Sequence, residues 1–134
     1  MAGSLKYCSG TTITSATSEV NLTGITENCV YVAYLNNVRG SEDNKGIRFR
    51  VSYEGTARTT DYDVAYMRLR TDTSFNRIAA EDEPSITWGT SGTGLGEACN
   101  MTLYLYNLYD DTAYSQGTFE PTILNHTPEL QGNT

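Results

Sequence analysis

Residues 46–54, GIRFRVSYE, alternate without a break. Ile47, Phe49, Val51 and Tyr53 fall on one side, and Arg48, Arg50, Ser52 and Glu54 on the other. In a pleated strand residues i and i+2 share a face, whereas a helix scatters them, so this period of two predicts a strand with one wet face. The stretch before it, NCVYVAYLNNV (Asn28 to Val38), is β-branched and aromatic with almost no polar break. That pattern predicts a central strand buried on both sides. The connection RGSEDNKG between the two is turn chemistry throughout, which predicts an antiparallel hairpin.

The same reading finds strands elsewhere. EVNLTGI places Val20, Leu22 and, past Gly24, Ile25 in a strand-like run. Ala65 to Arg70 reads as a strand carrying Arg68 and Arg70 on one face. A brief strand around Trp88 passes into Gly89, Gly92, Gly94 and Gly96, which predicts a long flexible loop. In ACNMTLYLYNLYDDTAY, Met101, Leu103 and Leu105 share one face, and Thr102, Tyr104 and Tyr106 the other. The tyrosine rings read first as sheet wall, with their hydroxyls at the wet end, and second as a recognition surface. GTFEPTILNHT supplies a further strand that Pro121 pushes toward an edge or a bulge. Seven to eight short strands separated by turns predict one all-β domain over residues 1–134, an antiparallel β-sandwich of broadly jelly-roll type. A chain of 134 residues is long enough to fold without staples.

Composition narrows the function. The chain carries 9 basic and 16 acidic residues, and Lys6 and Lys45 are its only lysines. A net charge of −7 with no basic run disfavours a phosphate backbone or an anionic membrane surface as partner. No stretch has the length of a transmembrane helix, and MAGSLKYCSG does not read as a secretory signal. Cys8, Cys29 and Cys99 are odd in number and lack metal-ligand spacing, so they read as buried or half-buried thiols.

Chemistry-bearing patterns are sparse. His126, the single histidine, sits in the turn LNHTPE and reads as a solvated loop residue. The acidic turns SEDN, DYD, EDE and YDD offer oxygen ligands without an EF-hand loop, and carboxylates without a marked glycosidase pair. No cofactor is expected. The glycines of GTSGTGLG match neither a dinucleotide fingerprint nor a P-loop. The sequons at Asn21, Asn100 and Asn125 read as coincidences in a chain with twenty threonines. No catalytic or metal site is predicted.

In order, VNLTGIT, YLNNVRGSEDNKGIRFRVS, AYMRLRTDTS and GTGLGEACNMTLYLYNL resemble a group of small virion proteins of tailed bacteriophages, especially phages of aquatic bacteria. The shared features are hydrophobic patterns over roughly Glu19 to Asn107, not catalytic residues. The resemblance implies a non-enzymatic β-sandwich building block on the virion exterior, made in the host cytoplasm. Its roles would be capsid decoration or cement, a head fibre, or a tail-fibre component. Implied partners are further copies of the chain, as a homotrimer, and major capsid or tail subunits. Members usually add a final apolar strand ending near L-x-G-I, so a sheet lacking that strand, or completed across subunits, is expected. Arg48, Arg50, Arg68 and Arg70 either grip acidic groups of a partner or balance Glu54, Asp61 and Asp63 within one subunit. The alternative role is a host-recognition module whose Trp88, Tyr104 and Tyr106 stack on surface glycans.

Overall fold

A computed structural model describes residues 5–43, 45–69, 75–94, 97–110, 112–125 and 129–132. The described residues contain no helix, and the fold is all-β. Ten strands follow one another: β1 (Tyr31–Val38), β2 (Lys45–Phe49), β3 (Ser52–Tyr53), β4 (Thr56–Ala57), β5 (Tyr62–Leu69), β6 (Phe75–Glu83), β7 (Ile86–Ser91), β8 (Cys99–Tyr106), β9 (Gln116–Asn125) and β10 (Glu129–Gly132). They form one four-stranded sheet, in the order β1-β8-β9-β10, and the pairs β2-β7, β3-β4 and β5-β6. The three pairs and β9-β10 are antiparallel. Antiparallel β architecture is therefore as expected. The strands are more numerous and shorter than predicted, and their pairings do not themselves display a jelly-roll order.

By its internal packing the chain divides into two units. One comprises Met1–Ala33 and Leu103–Thr118, the other Tyr34–Thr102 and Phe119–Thr134.

In the second unit, the alternation that opened the sequence holds through Val51. Ile47, Phe49 and Val51 are half-buried, and Arg48 and Arg50 are exposed. It fails at Tyr53, which is 79% exposed. The run is also cut in two, because the backbone leaves β2 after Phe49 and turns back through a tight hairpin, β3-β4. Glu54 (φ 49°) and Gly55 (φ 79°) make its turn, both in the left-handed region that a two-residue hairpin with right-handed twist requires. Tyr62 locks this hairpin. Its hydroxyl accepts the Val51 N–H at 2.8 Å and donates to the Arg58 carbonyl at 3.3 Å, while the Arg58 N–H donates to the Val51 carbonyl at 2.9 Å.

The predicted hairpin between residues 28–38 and 46–54 does not form. β2 pairs with β7 instead, and β1 pairs with β8. β1 is also an edge strand with no buried residue, not the central strand its composition predicts. Residues 39–43 leave β1 through bends and a turn, as expected, but longer-range pairing takes each strand to another partner.

The strand predicted over Ala65 to Arg70 falls within β5 as far as Leu69, Arg70 lying outside the described residues. β5 pairs antiparallel with β6, where no strand was predicted, with Tyr66 opposite Ile78 and Leu69 opposite Phe75. The register slips between Tyr62 and Val64, where Asp82 adopts φ 56° and its N–H donates to the Asp63 carboxylate at 3.2 Å. This is a bulge: an extra residue turned left-handed, with its orphaned donor met by a side chain across the pair. Tyr66 also meets Phe119 edge-on, with centroids 5.9 Å apart.

β8 carries the core. Cys99, Met101, Leu103 and Leu105 are buried, while Thr102, Tyr104 and Tyr106 on the opposite face are half-buried. Ala98, Tyr62 and Pro121 are also buried among the residues whose side chains are described. β9 lies inside the sheet rather than at its edge, yet Pro121 is tolerated there. The β10 pairing runs only from Thr122 to Asn125, so β10 asks no amide of Pro121. No strand is predicted around Leu130. Glu129–Gly132 supply the edge strand β10.

Residues 5–30 contain no strand. The strand predicted at EVNLTGI is absent, and Val20, Leu22 and Ile25 stand exposed. Gly24, at φ 97°, interrupts the run, and a side chain added there would press on Cys8 Cβ. Without a neighbouring strand, alternation has no ladder to enforce it.

Candidate interaction surface

The described residues singled out for function are Tyr104 and Tyr106 on β8 and Arg48 and Arg50 at and after the end of β2. Tyr104 and Tyr106 lie half-buried along β8, as sheet wall. The rings more accessible to a partner are Tyr109 (61% exposed) and Tyr114 (92%), in the loop that follows, and Tyr34 (73%) on β1. Those positions lie outside the predicted face because loop exposure leaves no period in a sequence. Trp88 falls within β7 and Arg68 within β5, but their side chains lie outside the described residues, as do all of Arg70, Asp111 and His126.

Arg48 stands exposed on β2 opposite Thr87. The Arg50 guanidinium turns inward on its own subunit, donating through Nε to the Pro84 carbonyl at 3.0 Å. Asp61, proposed as a counter-charge for those arginines, pairs instead with Arg58 at 2.8 Å. Sequence reading missed Arg58, although the i,i+3 spacing in RTTD was its signal. The Arg58 and Thr60 side chains, both hydrogen-bonded to Asp61, hold its carboxyl below the usual carboxylate range. Exposed pairs of this kind contribute little to stability.

The acidic turns each serve local backbone needs. Asp43 Oδ1 accepts from the N–H and the hydroxyl of Thr93, at 3.0 and 2.9 Å. The Glu97 carboxylate accepts from Gly94 N at 2.7 Å, and Glu97 N donates to the Gly94 carbonyl at 3.0 Å. A side chain at Gly92 would collide with that carboxylate, so Gly92 and Gly94 pack tightly on Glu97 where a loose loop was predicted, while Gly89 lies in β7 and Gly96 lies outside the described residues. Gly40 packs against Ser91, whose buried Oγ has no hydrogen-bond partner among the described residues. Asp110 accepts from Thr112, through both its hydroxyl (2.6 Å) and its N–H (2.9 Å), and from Asn28 Nδ2. These bonds, the Thr112 hydroxyl first, hold its carboxyl low as well. Carboxylates that accept from nearby backbone and hydroxyl donors in this way stabilise turns. Among the described residues, no group of three or more His, Cys, Asp or Glu side chains is placed to hold a metal ion.

Asn100, read as a chance sequon, serves the fold directly. Its Oδ1 accepts the Asn37 N–H at 2.8 Å, where β1 turns left-handed. Cys8 and Cys29 are exposed free thiols, contrary to the expectation that all three cysteines are covered. Cys99 is fully buried, and burial pushes its thiol up to about 11. No helix among the described residues is long and apolar enough to cross a membrane.

Fold and surface together define an all-β, antiparallel protein with many exposed aromatic and aliphatic side chains among the described residues. No family profile, curated protein or solved structure matches the chain.

Proposed function

We propose that this chain is a non-enzymatic structural subunit of a tailed-phage virion, a capsid decoration (cement) or appendage module that binds further copies of itself, as a homotrimer, and other virion subunits. One observation carries the reading. Among the residues whose side chains are described, the buried apolar ones lie mainly on one face of β8, while Leu5, Tyr7, Tyr34, Tyr53, Tyr109 and Tyr114 are each more than half exposed. Large apolar side chains left in water on this scale are what protein–protein interfaces cover. Net charge −7 keeps many copies soluble before assembly. The resemblance to small virion proteins points the same way.

Microscopy of intact particles, with this chain labelled, tests the proposal. Labels in three-fold sets on heads or appendages are the expected result; purified particles that lack the chain overturn it. The exposed tyrosine rings also suit stacking on sugars. Saturable binding to a host polysaccharide, lost in Tyr109→Ala/Tyr114→Ala, would favour host recognition over cement.

A further inference from the structure

Two disagreements between sequence and structure resolve in one event. Glu19 to Thr23 alternate like a strand, with Val20 and Leu22 on one side, yet no strand pairs with them. β1 opens with the apolar run Tyr31 to Leu35, the composition of a strand flanked on both sides, yet it stands at a sheet edge with a strand on one side alone. We propose that residues 19–23 of one copy add as a strand to the outer edge of β1 in a second copy, pairing with residues 31–36. The inference rests on the assembly role proposed above and names the contact between copies.

Three further observations favour a second copy as occupant. First, an open edge displays a row of unspent N–H and C=O groups, and an alternating segment is the complement that satisfies them. Second, charge permits self-pairing. Residues 5–30 hold Lys6, Glu19 and Glu27, a net −1 (one basic, two acidic), which leaves −6 of the total −7 elsewhere, and β1 holds no charge. The proposed strand, whose only charge is Glu19, and the uncharged β1 therefore meet without like-charge repulsion. Third, Val20 and Leu22 both stand exposed on one side of the segment, an apolar face for the added strand to bury against the second copy. The strand has a built-in end, because Gly24 at φ 97° breaks the extended run after Thr23.

The test is sedimentation of the full chain with hydrogen exchange read by segment. The wild type is expected to self-associate, with amides of residues 19–23 and 31–36 gaining protection together as concentration rises. Val20→Asp/Leu22→Asp, both at exposed positions, is expected to give monomer with unchanged circular dichroism and to lose both protections. A wild type that stays monomeric, including one that needs a capsid partner to associate, overturns the proposal. So does an oligomer indifferent to the double variant. Concentration-independent protection of both segments, the signature of the segment folding back on its own β1, overturns it too. Absence of the chain from virions would sink the proposed function while leaving this contact between copies standing.

Discussion

Tyr62 and Val51 are joined by a 2.8 Å hydrogen bond in which the phenol accepts a backbone amide eleven residues upstream. The same hydroxyl donates to Arg58, so one side chain closes both legs of the β3-β4 hairpin. Tyr62→Phe keeps the ring and removes both bonds. The variant is expected to lose about 1–2 kcal/mol in denaturant unfolding, the cost of leaving a part-buried amide without its acceptor. A change within error would show that water replaces the hydroxyl.

Leu103 lies at the centre of the buried face of β8. Leu103→Ala is expected to destabilise by about 2–5 kcal/mol, transfer and cavity terms together. Tyr104→Ala, on the half-buried face of the same strand, is expected to cost clearly less. Equal losses on the two faces would contradict the one-sided core.

The thiols give a chemical readout. Iodoacetamide at mildly alkaline pH is expected to label Cys8 and Cys29 in the native protein and Cys99 only after unfolding, as mass spectrometry would count. Because the folded state raises the Cys99 thiol from 9.0 to about 11, the unfolded chain releases its proton first. The stability that the protonated thiol preserves is complete below about pH 9 and drains away as pH climbs toward about 11. Cys99→Ala is expected to flatten that part of the stability curve.

Asp110 behaves in the opposite sense. Its carboxyl is held below the ordinary value of 3.8 by Thr112 and Asn28. The stability it adds is present above that value and is lost as acid protonates the folded form. Carboxyl chemical shifts recorded through an acid titration are expected to place its midpoint below 3.8, and Thr112→Val to move it upward.

Gly92 and Glu97 form a dependent pair. Gly92→Ala must displace the Glu97 carboxylate from Gly94. The loss is expected to overlap with that of Glu97→Ala, giving a coupling of at least about 0.5 kcal/mol in a double-mutant cycle. Additive losses would separate the two residues.

How far the sequence was legible follows from the range of each interaction. Alternation in 46–51 and 99–106 was readable because one wet face and one dry face leave a period in the chain itself. Partner choice was not: the turn at 39–46 looks the same whether β1 joins β2 or, as observed, β8. The edge position of β1 was hidden for the same reason, since composition reports what a strand tolerates and not how many neighbours it has. The exposed Tyr109 and Tyr114 left no signal beyond loop chemistry. The Arg58–Asp61 and Glu97–Gly94 contacts are local, and their spacing was there to be read.

The β2-β7 pair encloses both smaller hairpins, β3-β4 and β5-β6, like nested brackets. Joining residues 45–49 to 86–91 from an open coil means closing a long loop, whereas once the inner brackets snap shut the remaining slack is short. The order of assembly is thus written into the nesting, inside first. Loosening Tyr62 should accordingly slow refolding more than it hastens unfolding, and stopped-flow traces showing the reverse would mean that the outer bracket closes unaided.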